Sequence, residues 1–103
     1  MLTRRIIDGK LYDTDKAECV ASYDYDLAND LYYIIESLYI KKTGEWFFYG
    51  EGGPGTEYGV PCGNNWRECG ATIIPFTAAE AQQWLAKKNF VDEYIEYFGE
   101  PEE

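Results

Sequence analysis

The chain has 103 residues, 46% of them apolar and 17% aromatic, and its 19 acidic against nine basic residues leave a net charge of −10 with no histidine. That length suits one domain, residues 1–103, of monomer size with a single core. The charge sets the chain against nucleic acid, anionic membrane and phosphorylated ligands and points to a basic partner, while the missing imidazole removes the commonest general base and metal-ligand nitrogen.

The first ten residues carry Arg4 and Arg5 but no apolar run of signal-peptide length, and no segment reaches the roughly 20 apolar residues of a membrane span, so a cytoplasmic protein is expected. Ile6 and Ile7, then Asp8 and Gly9, then Leu11 and Tyr12 read as a strand or a small hairpin. From Ala17 the residues alternate. Ala17, Cys19, Ala21, Tyr23 and Tyr25 fall on one side of a strand, and Glu18, Val20, Ser22, Asp24 and Asp26 on the other; a helix capped by Thr14 competes with this reading. Asn29 to Tyr33 suits a single helical turn.

The best-specified stretch is 36–53. Leu38 and Ile40 alternate with Ser37, Tyr39 and Lys41, and residues 46–49 form an aromatic run of high β-propensity. Between them, Lys42, Thr43 and Gly44 predict a hairpin turn closed by a glycine at positive φ. Residues 50–70 hold seven glycines with Pro54 and Pro61, which suits loops around one short strand near residues 58–60. Residues 71–74 predict a buried strand stopped by Pro75. Thr77 and Glu80 predict a capping box opening a helix that runs to about Lys88 with Ala81, Trp84 and Leu85 on its apolar face. Phe90, Val91, Tyr94, Ile95 and Phe98 recur at helical spacing in a second helix ended by Gly99 and Pro101. The expected fold class is α+β: an antiparallel sheet of four or more strands with C-terminal helices packed on one face.

No catalytic motif is legible, so no enzyme and no cofactor is expected. Cys19, Cys62 and Cys69 are an odd number without a tight pair, and reduced thiols suit them better than zinc. The loop of residues 51–55 resembles a phosphate loop only in its glycines, since no Lys-Ser/Thr follows and Glu51 would repel the anion. Trp66 and Arg67 could form a small binding patch or tuck over a sheet edge. Paired carboxylates could serve glycoside hydrolysis, but among 19 such groups a chance pair is certain.

The charge itself is uneven. Residues 13–30 contain Asp13, Asp15, Glu18, Asp24, Asp26 and Asp30 against Lys16, a net of −5, and residues 89–103 contain Asp92, Glu93, Glu96, Glu100, Glu102 and Glu103 with no base, a net of −6. On a strand Asp24 and Asp26 would share a face about 7 Å apart; on a helix Asp92 and Glu96 would lie about 6 Å apart. Both spacings approach that of successive phosphates on a nucleic-acid strand. Asp13, Asp15, Asp24, Asp26, Asp30, Asp92, Glu93, Glu96 and Glu100 are therefore candidate partner-binding residues, the plainer account being a solvated acidic face kept for solubility.

Several blocks carry a family resemblance: Asp8, Gly9 and Lys10 with Tyr12, Asp13 and Thr14; Leu38 and Tyr39 through Gly44 with Trp46 and Phe47; residues 50–53; Gly63 and Asn64; and residues 74–77 with Glu80, Ala81, Trp84 and Leu85. On these the chain resembles small acidic proteins of bacterial phages and integrative elements, some of which are anti-CRISPR proteins. The resemblance implies a protein that binds a CRISPR effector complex of type I (Cascade), at its large subunit that reads the protospacer-adjacent motif, and blocks target DNA as an acidic DNA mimic. Such effectors hold DNA in Lys- and Arg-lined channels that an acidic protein could occupy. The alternative is a mobile-element protein that inhibits a different host DNA-binding protein, such as a restriction enzyme.

Overall fold

In the computed structural model, which describes residues 3–103, the aromatic run of residues 46–49 lies in the middle of a four-stranded antiparallel sheet. Strands β1 (Arg4–Ile7) and β2 (Lys10–Asp13) form a separate hairpin; β3 (Glu18–Tyr25), β4 (Ile34–Ile40), β5 (Trp46–Gly52) and β8 (Gly70–Phe76) form the sheet in that spatial order. The long β5–β8 connection carries a two-residue pair, β6 (Val60–Pro61) and β7 (Arg67–Glu68), and the chain ends in helices α1 (Ala78–Lys87) and α2 (Val91–Phe98). The α+β fold is thus as the sequence predicts. Among the described residues no helix is long and apolar enough to cross a membrane.

Local signals set the turns. Asp8 at φ 52° and Gly9 at φ 77° make the two-residue turn of the β1–β2 hairpin, a conformation with positive φ at both positions. Gly44 has φ 91°, and its N–H donates to the Lys41 carbonyl (2.9 Å) in the β4–β5 turn. The capping box closes as expected: the Glu80 N–H donates to Thr77 Oγ1 (3.1 Å) and the Thr77 N–H to Glu80 Oε1 (2.8 Å).

Packing departs from a one-sided sheet. Leu38, Trp46 and Phe48 point at α1 and α2 and join Ala21, Ala81, Trp84 and Leu85, whereas Phe47, Tyr49 and Ile73 point the other way and are covered by Tyr12 of the small hairpin. Every residue of β5 is consequently buried. On the helix side Trp46 stacks on Phe98 (5.4 Å between centroids) and Phe48 on Phe76 (5.3 Å); on the other, Phe47 stacks on Tyr39 (5.1 Å) and meets Tyr12 edge-on (5.6 Å). Each such pair contributes about 0.5–1.5 kcal/mol beyond area burial.

Three local expectations are corrected. The strand does not stop at Pro75, which pairs with Phe47 inside β8; β8 is an edge strand, where proline's missing N–H can face away from the only neighbour. A bulge between Cys19 and Ala21 shifts the β3 register, so Glu18, Ala21, Tyr23 and Tyr25 lie on the helix side and Cys19, Ser22 and Asp24 on the other, against the strict alternation predicted from the sequence. The short strand of the glycine-rich region begins at Val60 and pairs with residues 67–68, for which the sequence predicts only loop.

Candidate functional site

The strand register defines two ends of the sheet. One is the row Tyr25, Ile34, Gly52 and Gly70; the other is Glu18, Ile40, Trp46 and Phe76. Glu18 and Asp24 are thus about 20 Å apart along β3, at a rise of ~3.3 Å per residue, and the candidate acidic residues of the two charged segments fall into three groups.

Asp13 and Asp15 lie beside the β4–β5 turn. Asp13 is only 8% exposed; its Oδ1 accepts the Asp15 N–H (2.9 Å) and its carbonyl accepts the amides of Lys16 and Ala17, so it holds a turn and displays little charge. Asp15 is exposed, in a concavity that also contains Lys16, Lys41 and Lys42, which dilute its field.

Asp24, Asp26 and Asp30 are exposed at the first end of the sheet. The strand relation expected between Asp24 and Asp26 does not hold, because β3 ends at Tyr25 and Asp26 turns the chain at φ 54°. The turn beyond it is tied down. The Asn29 N–H donates to the Asp26 carbonyl (2.9 Å), the Tyr33 N–H to the Asn29 carbonyl (2.9 Å), and Asn29 Oδ1 accepts from the amides of Leu31 (3.0 Å) and Tyr32 (3.2 Å). That side-chain cap is the single helical turn expected at residues 29–33.

Asp92, Glu93, Glu96 and Glu100 belong to α2 and the tail beyond it. Tyr94, Tyr97 and Phe98 pack inward, while Asp92, Glu96 and Glu100 are exposed and Glu93 is partly so. The Tyr97 hydroxyl donates to Glu18 Oε2 (3.2 Å), fastening α2 to β3 and bringing Glu18 and Glu96 to either side of it. Desolvation, then the bond to Glu18 and the charges of Glu18 and Glu96, push Tyr97 up to about 12. Among the described residues none of the nine candidate carboxylates is ion-paired; the pairs present are Lys10–Glu45, Lys41–Glu45 and Lys88–Glu36.

Two carboxylates outside the sequence-predicted set are buried instead. Glu51 accepts from the hydroxyls of Tyr49 (2.7 Å) and Tyr33 (3.1 Å) on the β1–β2 side, and Glu36 accepts from Tyr58 and pairs with Lys88 (3.4 Å) on the helix side. Burial first, and then these bonds, raise the tyrosines: Tyr33 to about 12, with Tyr49 and Tyr58 also shifted upward. Glu51 is opposite Ile35 and Glu36 opposite Gly50, so the two point to opposite faces and form no acid pair across a cleft. The signal was a lone Glu inside each apolar strand, in a chain with ten Tyr to satisfy it.

The glycine-rich region is a clamp. Arg67 donates through Nε to the Pro54 carbonyl (2.8 Å) and through Nη2 to the Gly59 carbonyl (2.8 Å), while Trp66 stays 73% exposed and does not tuck over the sheet edge. Gly53 and Gly55 in turn donate to the carbonyls of Tyr33 (3.0 Å) and Leu31 (2.7 Å), so the 53–55 loop lies against the 29–33 turn. The three cysteines are unpaired and exposed, and among the described residues no three His, Cys, Asp or Glu side chains are grouped to hold a metal. Comparison with known proteins finds no matching family model, no matching curated protein and no matching solved structure.

Proposed function

We propose that this protein is a non-enzymatic inhibitor carried by a bacterial mobile element, which binds a type I CRISPR effector complex at the basic channel for target DNA. The observation that carries this reading is the set of exposed carboxylates, Asp24, Asp26 and Asp30 at one end of the sheet and Asp92, Glu96 and Glu100 on and after α2, none of them ion-paired among the described residues. Exposed like charges oppose folding slightly, so a fold that keeps them unpaired is suited to a cationic partner that neutralises them. A duplex presents phosphates to such a channel in the same way.

The test is competition with the purified effector complex. Saturating protein should prevent target duplex from binding, pre-bound duplex should exclude the protein, and affinity should fall steeply with added salt. Reversing the charges of Asp24, Asp26 and Asp30, or of Asp92, Glu93 and Glu96, should weaken inhibition while leaving the thermal midpoint nearly unchanged. Simultaneous binding of protein and duplex, or full inhibition by both reversed variants, would refute DNA mimicry. Binding to a restriction enzyme in place of the effector would move the same mechanism to the other class of host target.

A further inference from the structure

Pure charge does not describe the first acidic end. Tyr25, Leu27, Leu31 and Tyr32 are 57%, 56%, 55% and 53% exposed, four of the ten most exposed large apolar side chains among the described residues, gathered within eight positions of one another. Asp24, Asp26 and Asp30 are interleaved with them, and residues 17–40 contain no Lys or Arg at all. Arg67, which reaches this end through Pro54, has its guanidinium engaged by two backbone carbonyls. Exposed apolar groups interleaved with carboxylates have the mixed composition of a surface that contacts protein partners.

The loop is also held in place before any partner arrives. Asn29 caps its turn, the Gly53 and Gly55 amides bond the carbonyls of Tyr33 and Leu31, and the missing side chain of Gly55 leaves the Tyr32 ring its place. Asp tolerates the positive φ of position 26 better than most non-glycine residues. Little ordering entropy remains to be lost on binding.

We infer that residues 24–32 are a preorganised recognition loop, whose Leu27, Leu31, Tyr25 and Tyr32 enter an apolar depression on a folded protein partner while Asp24, Asp26 and Asp30 pair with Lys and Arg on its rim. This deepens the inhibitor reading and rests on it for the partner's identity. Charge complementarity decides the occupant: a second copy of this chain would bring another −10 against the same carboxylates, and an anionic lipid surface would be repelled. A nucleic-acid channel alone would leave the leucines and tyrosines unused.

The experiment places the photo-cross-linker p-benzoylphenylalanine at position 32 of the full chain, in bacterial cells with an active type I CRISPR system, and identifies the labelled peptide by mass spectrometry. The expected adduct is on an effector subunit, at a peptide with apolar residues flanked by Lys or Arg. The substitutions Leu27→Ser and Leu31→Ser should each weaken binding about tenfold at high as well as low salt, with an unchanged thermal midpoint. An adduct of the same chemistry on a protein outside the effector would uphold the recognition loop and refute the CRISPR reading. Inhibition that persists in both serine variants, with no adduct at position 32, would overturn the loop and leave the inhibitor reading standing. Labelling of a second copy or of lipid would overturn the assigned partner.

Discussion

Replacing Gly53 with Ala tests whether the recognition loop is seated as described. A Cβ at this position would lie 2.6 Å from both the carbonyl carbon and the oxygen of Leu31 and would also meet the Asp30 carbonyl, all of them backbone atoms that cannot swing aside as a side-chain end can. Relief requires the 29–33 turn to lift away, which breaks the Gly53–Tyr33 (3.0 Å) and Gly55–Leu31 (2.7 Å) hydrogen bonds. At a net of about 1 kcal/mol each the loss is about 2 kcal/mol, within the ~1–3 kcal/mol typical of an overpacked site. For a domain of this length that corresponds to a fall in Tm of roughly 8–16 °C. Thermal and urea denaturation measure the total, and amide hydrogen exchange measures where it acts: the Gly53 and Gly55 amides should lose protection while those of α1 keep theirs. A parent-like Tm, or a loss of protection spread evenly over the molecule, would refute the seating of the turn on Gly53.

Gly44→Val places a β-branched residue at φ 91° and should cost about 1–2 kcal/mol, read as a lower denaturation midpoint; an unchanged midpoint would count against that turn. Alkaline pH should unfold the protein early. Tyr33 and Tyr97 titrate at about 12 in the folded state, Tyr49 and Tyr58 are also raised, and unfolded tyrosine titrates near ~10, so the unfolded chain loses these protons first. Their contribution to stability is full below pH ~10 and is lost as pH rises toward ~12, with Lys10, raised by its bond to Glu45, acting in the same direction. A denaturation midpoint that stays level or climbs across that window would show the Tyr–Glu bonds to be misassigned.

Much of this chain could be read from neighbours in sequence. The Asp8–Gly9 and Gly44 turns, the Thr77–Glu80 box and the apolar face of α1 depend on a backbone preference or on contacts spanning three or four residues, and each is found where the sequence places it; at α2 Phe90, Tyr94 and Phe98 pack inward as expected, but Val91 is exposed and Tyr97 packs inward instead. The uneven charge was legible in the same way, because counting needs no fold.

The sheet's second covering layer was not. That Phe47 and Tyr49 are as buried as Trp46 and Phe48 depends on the β1–β2 hairpin returning over the opposite face, and that contact joins residues far apart in the chain. The bulge between Cys19 and Ala21 carries no residue signature, yet it decides that Glu18 meets Tyr97 and that Asp24 lies on the other face. Pro75 stays in a strand because β8 is at an edge, a property of strand order. Glu36 and Glu51 look like surface carboxylates until tyrosines from elsewhere close over them. Composition made an acidic protein; tertiary structure separated the carboxylates that satisfy the interior from those left facing solvent, and held three of the latter, Asp24, Asp26 and Asp30, beside exposed leucines and tyrosines on a glycine-seated turn. Sheet order, register and burial come from contacts whose free energy depends on the whole fold, and no window of sequence contains them.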